Sequence, residues 1–334
     1  MLKRHHLFAS VVGAFSIFTT AQSLAISIPP SQIGKGATTY APIVVKIGPK
    51  IVVTYFTWMN PEIVQAWSQG YVGQGVNMTV VDFYAQSKAS SRILGNLGTG
   101  WLNVYHGDWT AKTASMIAPL ATVSKVQLPT ELSVSIAPVP LKSGLNVVNL
   151  SYGFFDSPNS VQAPSSIQWD PQTASIISYA VNGSAVTVKA AGNDNVAVNG
   201  INSGNNIDLL NASLIGAQSA IYVGALDKNG TVLSKAKMAS YSNFAGDNAT
   251  VQNNFLAVGV RGDLTGLYGT SFAAPIVSGY AAILGSKFTK ASATQITNQL
   301  LNTARKDTVA NYSAAVYGRG EASLSRALAP VSIK

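Results

Sequence analysis

Short apolar runs alternate along the chain with longer segments in which apolar residues recur every three or four positions. Residues 77–81 (Asn-Met-Thr-Val-Val), 122–128, 145–150, 185–189 and 220–225 are runs of this kind, rich in β-branched residues, and are expected to form buried strands. Between them, residues 110–118 and 172–181 have helical spacing. Residues 273–284 are small and apolar all round, as in a buried helix. Ser292 with Gln295 forms a capping-box signal for a last helix running to about residue 304. Buried strands alternating with helices predict an α/β fold of three layers, a mainly parallel central sheet flanked by helices. In such a sheet, chemistry gathers at the carboxyl ends of the strands.

The first 25 residues read as a secretory signal peptide: Lys3 and Arg4, an apolar stretch over residues 7–21, then Ser23-Leu24-Ala25 as a small-residue cleavage site. The stretch is short beside the ~20 residues of a membrane span, and an uncleaved anchor is the alternative. Residues 26–50, rich in Pro, Gly, Ser and Thr, are expected to be an extension or short leader. Residues 51–330 then form one domain, with 331–334 as a tail. No second apolar stretch of spanning length appears, so the mature chain is expected to be secreted or periplasmic and monomeric.

Composition narrows the chemistry. Hydrophobic residues make up 47% and charged residues only 10%, which excludes a disordered chain. The net charge of +9 arises from scarce acids, and the bases are scattered, so a nucleic-acid partner is not expected. The absence of cysteine removes disulfides, thiol nucleophiles and zinc–thiolate sites. Of three histidines, His5 and His6 lie in the signal, leaving His106 as the one neutral-pH proton shuttle of the mature chain.

Five segments stand out. Asp82 closes the strand at 77–81, either to orient a histidine or as a loop residue capping nearby backbone. His106 precedes the helical stretch at 110–118, as a proton shuttle or as a partly buried packing residue. Ser271, in Gly269-Thr270-Ser271-Phe272-Ala273-Ala274-Pro275, opens the buried helix, as a nucleophile or an N-cap. Asn193, after Lys189-Ala190-Ala191-Gly192, could donate to an oxyanion or serve a turn. Val148 to Gly153 ends a strand whose polar edge could pair with an extended peptide, or simply exits to a loop.

Together these segments resemble the subtilisin-like serine proteases, the subtilase or peptidase S8 family, of the bacterial secreted type. Gly73-Gln74-Gly75-Val76 leading to Asp82 is similar to the family's aspartate block, His106-Gly107 with Ala111 to its histidine block, and Gly269 to Pro275 with Val277-Ser278-Gly279 to its serine block. Val148 to Gly153 and Ala190 to Asn193 resemble its substrate-strand and oxyanion blocks, and all five stand in family order. The resemblance implies a subtilisin-like fold and peptide-bond hydrolysis in which Ser271 attacks, His106 serves as general base and acid, Asp82 orients it and Asn193 binds the oxyanion. It also implies that Ser151, Tyr152, Gly153, Ala190, Ala191 and Gly192 bind a peptide or protein substrate. No cofactor or catalytic metal is expected. Structural calcium occurs in the family, and here residues 194–199 offer only a thin set of oxygen ligands, with a surface turn as the other reading.

Four residues depart from the family pattern: Phe83 and Tyr84 after Asp82, and Asp108 and Trp109 after His106-Gly107. The aromatics could displace or wall off the Asp82 carboxylate. Asp108, if close, would raise the His106 pKa and shift activity to the alkaline side. A catalytically inactive scaffold that binds peptides in the same cleft is the alternative. An esterase is disfavoured by the Asp-His-Ser order and the lack of a Gly-x-Ser-x-Gly elbow.

Overall fold

The computed structural model describes residues 43–47, 51–84, 92–128, 137–160, 167 and 169–333. The signal peptide and the first part of the extension, residues 1–42, lie outside the described residues. Part of that extension belongs to the body. Ile43–Ile47 (β1) pairs antiparallel with Ile51–Tyr55 (β2). Two β-branched runs flanking Gly-Pro-Lys make a hairpin, a pattern hidden by the Pro and Gly content of the surrounding stretch. Val53 and Tyr55 bury against the core.

The remaining strands are Asn77–Asp82 (β3), Arg92–Gly95 (β4), Leu102–Tyr105 (β5), Thr122–Gln127 (β6), Asn146–Leu150 (β7), Phe155–Asp156 (β8), Val186–Ala190 (β9), Ile207–Asp208 (β10), Ala220–Leu226 (β11) and Phe255–Gly259 (β12). Six of them form the central sheet in the order β12-β11-β9-β7-β3-β6, and every pairing is parallel. The five strands expected from the sequence all lie in this sheet, and β12 is its one additional member; β1, β2, β4, β5, β8 and β10, outside it, were not expected either. From β3 the chain crosses to β6 at one edge, then returns to β7 on the other side of β3 and proceeds outward. The order thus reverses between β3 and β7, the position at which a crevice opens beyond the strand ends.

Helices cover both faces. Glu62–Ser68 (α1), His106–Ile117 (α2), Thr270–Lys287 (α5) and Ala293–Asn302 (α6) pack one apolar cluster, and Pro171–Asn182 (α3) with Leu209–Ser213 (α4) packs the other. Asp170 caps α3 by accepting from Thr173 N, and Ser292 and Gln295 form the expected capping box on α6. No helix among the described residues is long and apolar enough to cross a membrane.

α5 is buried along nearly its whole length, which requires small residues where it crosses its neighbours. At Gly279 a Cβ would stand 2.4 Å from Ile117 Cγ2, so the two helices meet with no room for a methyl group. Gly279→Ala should therefore destabilise the fold by up to about 2 kcal/mol, an overpacking cost of about 1–3 kcal/mol less a helix-propensity gain of about 1 kcal/mol. Urea unfolding checks it, and an unchanged or raised midpoint would contradict the close packing.

Candidate active site

Asp82 is the last residue of β3 and has 0% exposure. A carboxylate in that position needs donors, and three are supplied. His106 Nδ1 lies 2.8 Å from Oδ1 and 3.0 Å from Oδ2. Thr110 Oγ1 donates to Oδ2 at 3.0 Å, and the Phe83 backbone N–H to Oδ1 at 2.7 Å. Because a carboxylate only accepts, Nδ1 carries the proton and Nε2 is the ring's free acceptor when the imidazole is neutral.

His106 opens α2, which starts four residues earlier than the spacing alone suggested. Its neighbour makes that start close to β3: Gly107 N–H donates to Phe83 O at 3.1 Å, and a Cβ there would stand 2.8 Å from the same oxygen.

The four unusual residues are absorbed elsewhere. Phe83 is buried in the second cluster. Tyr84 OH donates to Val80 O at 2.9 Å, and burial, then the charges of Asp82 and Asp108, hold its phenol well above the usual range. Trp109 is fully buried, its indole N–H donating to Ile93 O at 2.8 Å. The Asp108 carboxylate takes Lys125 Nζ at 2.7 Å. The Asp82–His106 contact coexists with all four.

Ser271 is the second residue of α5, not its cap; Gly269 holds the cap position with φ +124°. That backbone region is open essentially to glycine alone. Ser271 Oγ donates to Ser151 O at 3.0 Å, rather than to His106. Ser151 lies just beyond β7, and its own hydroxyl donates to Ser271 O at 2.9 Å. Pro275 explains why that carbonyl is free. It stands four residues on, where an N–H would otherwise close the helical bond to Ser271 O, and proline has none. Ser151 Oγ in turn accepts from Asn149 Nδ2 at 2.9 Å, and Asn149 Oδ1 accepts from Ser278 Oγ at 3.1 Å. The Phe272 ring, next along, lies 5.8 Å from the His106 ring, which places the start of α5 beside the imidazole.

Asn193 follows β9. Its Oδ1 accepts from Thr270 N at 2.8 Å and Thr270 Oγ1 at 3.0 Å, while Thr270 Oγ1 accepts from Gly192 N at 3.1 Å. With a backbone N–H fixing Oδ1, the Nδ2 donors are committed to the other side. A second clamp comes from Asn243, which is buried: its Oδ1 accepts from Asp194 N at 2.9 Å and Val196 N at 3.2 Å, and its Nδ2 donates to Ala191 O at 3.1 Å. Sequence reasoning singled out none of Thr270, Asn243, Thr110 or Asn149. Only Thr270 carried a signal, as the residue between the glycine and the serine.

The other expected substrate residues fall into place unevenly. Ser151, Tyr152 and Gly153 follow β7, and Ala190, Ala191 and Gly192 end β9 and begin its loop, the two segments side by side. Ala191 is fully buried, with its N–H donating to Val223 O and its carbonyl taken by Asn211 and Asn243, so it supports the cleft from behind. In the loop at 194–199, burial and then Asp208 raise the Asp194 carboxyl. No group of three or more His, Cys, Asp or Glu that could hold a metal occurs among the described residues.

Asp82, His106, Asn193 and Ser271 all stand at the carboxyl edge of the parallel sheet. Residues 102–320 match the peptidase S8, subtilase family. The chain belongs to the subtilase family and is a serine-type endopeptidase. Asp82 lies before the matched segment and joins it through His106. The fold is similar to that of the prenylagaramide maturation protease PagA (20% identity, 80% of this chain and 98% of that one, TM-score 0.52). It is also similar to a protease of Pseudoalteromonas arctica (21% identity, 79% and 92%, TM-score 0.51). No curated protein matches the chain in sequence.

The Ser151–Ser271–Pro275 arrangement makes a prediction. Ser151→Ala leaves a partly buried carbonyl without its donor, a cost of about 0.5–1.5 kcal/mol in denaturant unfolding. In a Pro275→Ala background the restored N–H should supply that donor, and the cost of Ser151→Ala should fall by at least about half. Equal costs in both backgrounds would contradict it.

Proposed function

We propose that this chain hydrolyses peptide bonds of extended protein segments through a triad of Ser271, His106 and Asp82. The observation that carries the proposal is the buried two-oxygen contact from Asp82 to His106 Nδ1, with the imidazole ring beside the start of α5. Rotation about the Ser271 Cα–Cβ bond exchanges Ser151 O for His106 Nε2 as the hydroxyl's acceptor, and apo sites commonly tighten in this way on substrate binding.

In the reaction, Oγ bonds to the scissile carbonyl carbon as its proton passes to Nε2. The carbonyl oxygen becomes an oxyanion that accepts from Asn193 Nδ2 and the Ser271 N–H, the latter at the dipole-positive end of α5. Collapse breaks the C–N bond, and the amine leaves with the proton from His106. Water then repeats both steps on the acyl-enzyme and releases the acid. Asp82 holds the ring tautomer and stabilises the imidazolium. The substrate backbone lies along Ser151 to Gly153 and Ala190 to Gly192. The protein acts as a monomer after export through its N-terminal segment, which supports a secreted or periplasmic location.

A fluorescent fluorophosphonate tests the triad, because only an activated serine reacts. The purified protein should label and hydrolyse casein, and Ser271→Ala should do neither. No labelling of folded, processed protein would reject the enzyme reading for this site. Asn193→Ala should keep KM and lower kcat by about 10²–10³, the magnitude known for the equivalent donor of a subtilisin rather than one obtained from this geometry. A loss confined to KM would reassign Asn193 to the cleft.

A further inference from the structure

One buried ion pair has no part in the triad. Lys189, in the middle of the sheet on β9, is 1% exposed, and its Nζ lies 3.0 Å from Asp208 Oδ2 and donates to Ala190 O at 2.6 Å. Asp208 ends β10 and caps α4: its Oδ1 accepts from Leu210 N at 3.0 Å and Asn211 N at 3.3 Å, and also from Phe154 N at 3.1 Å. A Cβ on Gly153 would stand 2.5 Å from Asp208 Oδ2. The pair therefore touches both segments of the cleft at once, Ala190 on one side and Gly153-Phe154 on the other. The backbone adds a further tie, Leu209 N to Phe154 O at 2.7 Å.

Energy alone does not account for such a pair. Removing both ions from water costs several kcal/mol each, which their attraction roughly offsets, so a neutral pair of similar shape is often as stable. What it supplies instead is a link of fixed length between two backbones that no strand pairing joins beyond the end of the sheet.

We propose that Lys189 and Asp208 are positioning residues that set the separation of the two cleft walls, and so govern how tightly extended peptide binds while leaving the reactivity of Ser271 unchanged. This rests on the cleft assignment above. A double variant separates the role from simple stabilisation. Lys189→Met with Asp208→Asn removes both charges together, so thermal unfolding should stay near that of the unaltered protein, yet the link is gone. The readouts are the Kd of an extended fluorescent peptide in the Ser271→Ala background and the rate of fluorophosphonate labelling with Ser271 in place. The peptide Kd should rise about tenfold or more, since displacements of about 1 Å in a binding site carry penalties of that order or greater, while labelling stays within about threefold. Unchanged Kd in the folded double variant overturns the proposal, as does a labelling rate that falls in step with Kd. Should the double variant not fold, Lys189→Met alone decides by the same two readouts, because Asp208 keeps its three backbone donors, Phe154 N, Leu210 N and Asn211 N, and only the link to β9 is lost. An unaltered protein that binds peptide in a pair-dependent way but does not label would reject the triad and leave this inference standing. One that labels but binds peptide equally well without the pair would do the reverse.

Discussion

The site depends on a carboxylate at the end of β3 that no water reaches. Burying Asp82 is costly unless donors surround it, and two of its three come from α2: His106 at the first residue and Thr110 one turn later. The helix must therefore begin at His106 and lie against the strand end closely enough for both to reach. The Gly107 N–H bond to Phe83 O fixes that approach, and there a side chain larger than hydrogen has no space. The need to satisfy one buried charge thus sets the position of a whole helix on the sheet. The same contact leaves the far ring nitrogen of His106 free to act.

A comparable economy governs the start of α5 at Ser271. Proline inside a helix normally costs a hydrogen bond, about 3 kcal/mol with its steric clash. In α5 the bond it forfeits is the one to the carbonyl of Ser271, and that carbonyl is taken by Ser151 from the neighbouring strand end. The defect becomes an anchor between the helix and the cleft. Asn149 and Ser278 fix the direction of the Ser151 proton, so the chain of donors ends on the serine backbone instead of competing for its hydroxyl. Thr270 does the same for Asn193, holding the amide oxygen from both its N–H and its hydroxyl.

How much of this was legible in the sequence follows from where each signal resides. The strands under the site and α5 announce themselves through hydrophobic patterning, because burial on both faces leaves no polar interruption. The blocks around Asp82, His106, Asn193 and Ser271 are local, and the residues carry their chemistry wherever they stand. What was hidden is non-local. The roles of Asn243, Lys189 and Asp208 depend on contacts with residues 19 to 54 positions away. Nothing in Ser-Asn-Phe or Ile-Asp-Leu marks them. The strand at Ile43–Ile47 was masked differently, by the Pro and Gly around it, and the early start of α2 by a His-Gly-Asp opening with weak helix propensity.

The sheet itself explains why the departures from the family pattern leave the geometry intact. Val81 pairs with Leu150 and Leu150 with Lys189, so Asp82, Ser151 and Ala190 follow at the same level on three adjacent strands. Their separations are set by backbone hydrogen bonding, about 4.8 Å per strand, and not by loops. Side chains at 83, 84, 108 and 109 can change only what surrounds that row. Each has found a partner off it: Phe83 the second core cluster, Tyr84 the Val80 carbonyl, Asp108 a lysine and Trp109 the Ile93 carbonyl. A substitution that entered the row itself, or that removed a donor from Asp82, would have no such route, because the neighbouring backbone groups are already taken: Phe83 O by Gly107 N, Ser151 O by Ser271 Oγ and Ala190 O by Lys189 Nζ.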